Sequence, residues 1–481
     1  MIKNIFTVLI LLGFSSFSFA QDGQWSLERC IKYAQQNNLS IQQSSLSVQQ
    51  SELTLKGNKR EYYPNLSGSV SYGFNSGRSI DPTTNDFVQN SIHTNGVSLN
   101  TGAIIYSGGR IPNTIKQSEY NLQASKLDVD NFKNNISLQV ARAYLQVLLA
   151  EEQLGNSRVN IKQLEDQLAQ TNKLIKAGTL PANNSLDIEA QIATSEQTLV
   201  GNQNNVDIAY LNIKQLLQLE PNAPFVIEKP TIELPAGDQL NAVALEGVYN
   251  VALQNQPNIA AGELRTKSAE KGVEIAKSAL LPTLSVGGGL STNYSSIGRD
   301  ITNPNISLTD ETTFYNGFVD GQASQIGLTT QRADVTFPNA NYFQQFGGNL
   351  SVFVGLTLNV PIYNRGLTKI SIEQSQLGVL NQQFNNRILK QNLKTDIQRA
   401  IADAKAAYKQ LQASEKSVNA QEAAFQNTER RFKAGSANSF EYNTARNNVE
   451  SAKTLYIIAK YDYIFKLKII DFYQGKSIQL K

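Results

Sequence analysis

The sequence predicts a mixed α+β membrane protein, internally duplicated, in which very long helices adjoin a small set of membrane-embedded strands. Three observations predict it. Apolar residues recur at every seventh position through two long stretches, as packed long helices require. Four short segments alternate apolar with small polar residues, the period of a strand. Landmarks of the first half return in the second at an offset of 218 residues.

In chain order, the first twenty residues carry one basic residue, Lys3, an apolar run from Ile5 to Phe14 and a small-x-small end at Ser18-Phe19-Ala20. Residues 1–20 are therefore read as a secretory leader, and the rest as exported. Cys30 is the only cysteine, so no disulfide is expected, and Leu27-Glu28-Arg29 before it is no lipoprotein processing site. A net charge of +3 over 481 residues excludes a nucleic-acid reading. Beyond the leader no run of 18 apolar residues occurs, so membrane contact has to come from something other than an apolar helix.

SLERCIKYAQQNNLSIQQ from Ser26 and ALEGVYNVALQNQPNIAA from Ala244 open two repeats, residues 21–219 and 239–475. Each opening is read as one helix, Ser26 to Lys59 and Ala244 to Ala279, stopping before a proline that starts a strand. Pro64 in YYPNLSGSV and Pro282 in LLPTLSVGG keep the same offset. By Gly178 and Gly435 the offset is 257, which puts the extra length in the polar stretch after Tyr294. Residues 220–238, with four of the 13 prolines, are an extended connector, and residues 476–481 a tail.

After each proline the period becomes two. Leu66, Val70, Tyr72 and Phe74 alternate with Ser67, Ser69, Ser71 and Asn75; Leu284, Val286, Leu290 and Tyr294 alternate with Ser285, Gly287, Ser291 and Asn293. Val97 and Leu99, and the segment from Leu350 to Val360, continue the code. One apolar and one small polar face suits lipid on one side and water on the other, although a soluble half-buried sheet shows the same alternation. Export and two long polar loops, Gly77 to Asn95 and Ser295 to Gln345, favour the membrane barrel. Hairpins at 65–106 and 283–362 supply four strands where membrane barrels start at about eight. The barrel is expected to be shared between chains.

Ile115, Leu122, Val129, Ile136, Ala143 and Ala150 form one seven-residue comb. A second, Val140, Val147, Leu154, Ile161, Leu168 and Ile175, returns 257 residues later as Ile397, Ala404, Leu411, Val418, Phe425 and Phe432. Helices over 112–177 and 366–434, about 100 Å long at roughly 1.5 Å per residue, follow. Shorter helices, 184–219 and 438–474, return from two turns that share Lys-Ala-Gly. Gly178 and Gly435 suit the left-handed position past a helix end; Asn184 with Asp187, and Asn438 with Glu441, have the spacing of an N-cap and its third helical residue. Ser185 and Ser439 are 254 apart, so the first turn carries three more residues and a different tip, TLPANN.

The duplicated order of helix, strand, strand and helix behind a leader, with YPNLS and LPTLS at strand starts, IIYSGGR and PIYNRG at strand-to-helix junctions and the paired KAG turns, resembles the TolC family of outer membrane efflux proteins. The resemblance covers essentially the whole exported chain. It implies a homotrimer in which three chains, four strands from each, share one outer-membrane β-barrel joined to a periplasmic α-barrel. It implies a passive exit duct of a tripartite efflux or secretion system, fed by an inner-membrane pump through a periplasmic adaptor protein. Adaptor docking would fall on Lys176, Ala177, Gly178 and Thr179 and on Lys433, Ala434, Gly435 and Ser436. Glu441 falls where the family places an acid of its cation-sensitive gate, with Asp187 its counterpart in the first repeat; Thr444 and Ala437 stand where the family has a second acid and an arginine. The two acids serve either that gate or the caps of their helices.

No catalysis, cofactor or metal is expected. His93, placed in a polar loop, is the only histidine, and with one cysteine it makes no zinc site. Neither GxxxxGK[ST] nor GxSxG occurs, and acids scattered over solvated helix faces do not make the paired carboxylates of a hydrolase. The alternative function is a surface coiled-coil protein, structural or adhesive, which accounts for the heptads but not for the duplicated strand pairs.

Overall fold

The computed structural model describes residues 24–80, 85–230 and 244–480. The leader at 1–20 and the part of the connector from 231 to 238 lie outside them. The first half runs α1 (Leu27–Asn37), α2 (Leu39–Lys59), β1 (Asn65–Ile80), β2 (Phe87–Ser107), α3 (Arg110–Lys176) and α4 (Asn183–Leu217). The second runs α5 (Leu245–Asn255), α6 (Pro257–Ser278), β3 (Thr283–Ser295), β4 (Asn305–Val319), β5 (Gln322–Thr336), α7 (Tyr342–Gly348), β6 (Ser351–Asn359), α8 (Leu367–Lys433) and α9 (Ser439–Tyr473). The chain is a mixed α+β protein whose two longest helices, α3 and α8, have 67 residues each. It divides into two compact units: one holds the residues up to Glu52, Tyr120–Lys267 and those from Val379; the other holds Leu53–Glu119 and Ser268–Gly378.

The first unit is helical, and its heptad residues are its core. Val140, Val147, Leu154 and Ile161 of α3 are buried, as are Ile397, Ala404 and Leu411 of α8. Each valine, leucine or isoleucine among them, removed from water, contributes about 1.5–3 kcal/mol. Burial thins toward the far ends, where Leu168, Ile175, Val418, Phe425 and Phe432 are half-buried. The Tyr144 hydroxyl, buried in α3, lies 3.0 Å from the Trp25 carbonyl and 2.6 Å from that of Glu228, clasping the start of the described chain to the segment after α4.

Two helices expected to be continuous are broken. Asn38 leaves α1 at φ −65° and ψ 124°; its side chain donates to the Leu216 carbonyl and accepts from the Ser40 N–H, both at 3.0 Å, so it ends one helix and caps the next. Gln256 is extended, at φ −80° and ψ 116°, because Pro257 opens α6 and excludes the helical conformation from the residue before it.

The second unit is built on an antiparallel sheet in the order β1-β2-β3-β6. Its register carries one serine row through all four strands: Ser69 faces Ser98, Ser98 faces Ser291, and Ser291 faces Ser351. Leu66, Val70, Val97, Leu290, Val352 and Val354 occupy the opposite face and are exposed, Val354 by 80%. Among the described residues the outer edges of β1 and β6 have no partner strand.

Both long loops are corrected. β1 continues to Ile80 and β2 begins at Phe87, so most of Gly77 to Asn95 is strand. His93, placed in a loop by the sequence reading, lies in β2 opposite Phe74, with Nδ1 2.7 Å from the Tyr72 hydroxyl. Ser295 to Gln345 contains the β4–β5 hairpin, turned by Asp320 and Gly321 at φ +53° and +80°, and the start of α7. Two successive left-handed residues twist as the flanking strands do, and Asp-Gly supplies them at low cost.

Candidate functional site

The two KAG turns are built alike. Gly178 and Gly435 sit at φ +73° and +74°. The N–H groups of Gly178 and Thr179 donate to the carbonyls of Ile175 and Leu174 at 2.9 and 3.0 Å; those of Gly435 and Ser436 donate to Phe432 and Arg431 at 3.0 and 2.9 Å. This pair of bonds satisfies carbonyls that a helix end leaves open, and it needs the left-handed residue. The Thr179 and Ser436 hydroxyls donate to the same Leu174 and Arg431 carbonyls. Beyond each glycine's immediate chain neighbours, no atom lies within 4 Å of where its Cβ would stand, so the backbone alone demands glycine. Lys176, Ala177, Gly178 and Thr179 are exposed, as are Lys433, Ala434, Gly435 and Ser436.

The return sides differ. Asn438 caps α9, accepting from the Glu441 N–H at 2.8 Å, and the Glu441 carboxylate reaches Arg431 on the opposite leg at 3.2 Å. Lys433 pairs with Glu429 at 3.0 Å. In the first turn Asn184, expected as the cap, lies inside α4, and the preceding Ala182 provides no side-chain cap. The three added residues account for this: one lengthens the turn, and Asn183 and Asn184 extend the helix backwards. Asp187 is exposed, and among the described residues neither it nor Lys176 has an ion-pair partner. Among the described residues one ion pair, Arg431 with Glu441, bridges the two legs of the second tip, and none bridges the first.

Both turns line one cavity of about 980 Å³, Thr179, Leu180 and Asp187 from one and Gly435, Ala437 and Tyr442 from the other. Arg446 of α9, 4% exposed, reaches from its wall into α3, donating to Gln167 Oε1 at 3.0 Å and to the Asn160 carbonyl and Oδ1 at 2.9 and 3.0 Å. Burial holds its pKa below the ordinary value, and a guanidinium stays charged regardless. Sequence reading passed over Arg446. Its signal was the placement of a charge in the stripe Tyr442, Arg446, Val449, Ala452, which is otherwise buried and uncharged.

In the second unit, Pro64 and Pro282 immediately precede β1 and β3. Both strand-to-helix junctions use two successive left-handed residues, Gly108 and Gly109 in one and Arg365 and Gly366 in the other. A Cβ on Gly108 would stand 2.6 Å from the Ser278 carbonyl, so only glycine fits there. Among the described residues no three His, Cys, Asp or Glu side chains gather as metal ligands would, and no helix is long and apolar enough to cross a membrane.

A family model described as outer membrane efflux protein matches residues 30–218 and 248–467. The pyoverdine export outer membrane protein OpmQ of Pseudomonas putida is 22% identical over 316 residues, covering 65% of this chain and 56% of that protein. Outer membrane protein TolC of Vibrio cholerae is 21% identical over 335 residues, 70% and 66% of the two chains. The chain spans about half the length of several curated relatives it matches. Among solved structures, the outer membrane protein VceC of Vibrio cholerae superposes with a TM-score of 0.70 at 13% identity, over 94% of this chain and 96% of that one.

Proposed function

Since the chain belongs to the outer membrane efflux protein family, we propose that it is the exit duct of a tripartite efflux or secretion system. Three copies form a passive channel, a shared β-barrel in the outer membrane and a periplasmic tunnel of long helices, which receives substrate from an inner-membrane pump through an adaptor protein.

The sheet carries this reading. Its apolar face is exposed and its opposite face is mainly serine, glycine and asparagine, with Phe353 the exposed exception in β6. From Leu284 to Tyr294, β3 runs roughly 33 Å at ~3.3 Å per residue, or about 25 Å of membrane normal at a strand tilt near 40°, the height of a lipid-facing band. Exposed tyrosines flank it, with Tyr63, Tyr106 and Tyr363 at the Pro64 end and Tyr72 toward the other. The open edges of β1 and β6 cannot stand in lipid, so β6 of one copy pairs with β1 of the next. Exposed heptad seams, Leu39, Leu46 and Leu53 on α2 and Ile370, Leu377 and Phe384 on α8, support helix contacts between copies. Equal lengths of 67 residues for α3 and α8, and of 35 for α4 and α9, support a tandem duplication.

The tips are the adaptor docking sites, and the second, bridged by the Arg431–Glu441 pair, is the more rigid of the two. Glu441, engaged with Arg431, clamps its own hairpin; Asp187, unpaired beside the cavity, is the acid assigned to the gate. Planar-bilayer recording of the detergent-extracted protein tests the duct. Stepwise conductance from a trimer is expected, and a monomer or an electrically silent trimer refutes it.

A further inference from the structure

β6 and β3 stop pairing at Ser351 and Ser291, although β3 runs on to Ser295. Beyond that point the β3 edge meets α7 instead of a strand. The Gln345 side chain, 5% exposed, accepts from the Ser295 N–H and donates to the Ser295 carbonyl, both at 2.9 Å. Its amide stands in for the missing ladder partner. Asn349 donates to the Asn293 carbonyl, and Thr292 donates to the Phe346 carbonyl, each at 2.8 Å. Asn341 and Gln344 close a reciprocal capping box at the helix start. Four amide side chains are thereby engaged within the fold.

Register decides which face α7 covers. Thr292 and Tyr294 pair directly with Val97 and Asn95, on the exposed apolar face. The Tyr294 ring stands 4.8 Å from that of Tyr342, which stacks on Phe346 at 4.5 Å and accepts a hydrogen bond from Asn95 at 3.1 Å. The helix therefore lies over the apolar face, at the end of the strands opposite Pro64 and Pro282, and there it presents Phe343, 85% exposed. No Asp, Glu, Lys or Arg occurs from Val335 to Asn364, a run that holds both α7 and β6, whereas the β4–β5 hairpin carries Asp310, Glu311, Asp320, Arg332 and Asp334.

We infer that α7 is a lipid anchor at the outward rim of the barrel, lying on its outer wall with Phe343 at the boundary between acyl chains and headgroups. The inference rests on the reading of the sheet as a membrane wall. Three features select lipid as the occupant: continuity with the apolar face of β6, the absence of charge, and the engagement of the amide side chains. Aromatic side chains at this depth form the girdles of membrane barrels.

Trp25 is the only tryptophan, so in a Trp25→Phe background one new indole reports one position. Phe343→Trp, Val354→Trp and Phe318→Trp are each placed in the full chain and reconstituted into phosphatidylcholine vesicles brominated either near the headgroup or deep in the acyl chain. Phe343→Trp should lose fluorescence chiefly to the shallow bromines, Val354→Trp chiefly to the deep ones, and Phe318→Trp, on the β4–β5 hairpin, to neither. Quenching of Val354→Trp without Phe343→Trp overturns the anchor and leaves the membrane wall standing. Quenching of neither overturns both, and chiefly deep quenching of Phe343→Trp overturns the interfacial placement. A nitroxide on Phe343→Cys repeats the test with Trp25 intact, because Cys30 is fully buried. Relaxation by oxygen beyond that by a water-soluble nickel complex supports the anchor, and the reverse overturns it.

Discussion

Replacing Gly435 by alanine, asparagine and tryptophan separates backbone strain from obstruction at the tip. At φ +74° an L residue costs about 1 kcal/mol, and open space around the missing Cβ means that no neighbour adds to it. Alanine and tryptophan therefore incur nearly the same strain, and asparagine, which visits this region more readily, incurs less. A loss of about 1 kcal/mol shifts a local equilibrium roughly fivefold, too little to unfold a chain held by its buried heptad cores. Trimer yield and thermal unfolding should thus be alike for alanine and tryptophan. Adaptor cross-linking and export should fall with side-chain size, near wild type for asparagine, modestly reduced for alanine and abolished for tryptophan. The same series at Gly178 should be milder, because no ion pair holds that turn and it can yield. Equal export by Gly435→Ala and Gly435→Trp would refute close approach of a partner at this turn, whether both fail or both succeed.

Val70→Arg, on the apolar face, should cost about 2–4 kcal/mol of barrel stability near mid-bilayer, while Ser69→Arg on the serine row costs less; heat-modifiability on gels reads both, and equal effects would sink the register. Arg446→Ala removes charge-assisted bonds from α9 to α3 and should lower stability by about 2–3 kcal/mol, with Arg446→Lys recovering only part, as differential scanning fluorimetry would show. Burial pushes the Cys30 thiol up to about 12 from 9.0. Iodoacetamide should therefore leave it unmodified at pH 8 until the chain is denatured. Because the folded form keeps a proton that the unfolded form releases, this group's contribution to stability is complete below pH 9 and is lost as pH rises toward 12. A Cys30→Ser variant with the same alkaline profile would contradict that assignment.

The long helices were legible because a seven-residue period sustained over many turns has no rival reading, and the four-strand sheet because most of its apolar residues keep to one face. The β4–β5 hairpin escaped notice for the opposite reason. Phe314 and Phe318 lie on one side of it and Tyr315 and Val319 on the other, which cancels the alternation. Its one plain marker was Asp320-Gly321. The breaks at Asn38 and Gln256 interrupt stretches whose apolar period continues across them, so only the proline after Gln256 and the self-capping habit of asparagine could have betrayed them. At the tips, the glycines were readable from backbone chemistry alone. The cap of α4 was not, since the spacing of Asn184 and Asp187 also occurs within an uninterrupted helix. Arg446 had only the apolar stripe around it as a signal, because its amide acceptors lie 279 to 286 residues away along the chain.

The serine row has an electrical consequence. Along the paired stretches from Leu66 to Phe74, Thr94 to Ser107, Thr283 to Ser295 and Ser351 to Asn359 there is no Asp, Glu, Lys, Arg or His. A bore walled by hydroxyls and amides has no fixed field, so it neither concentrates one sign of ion nor repels the other. Current through that part of the proposed duct would reverse close to zero voltage under a potassium chloride gradient, and any sorting of cargo by charge would be done before it arrives.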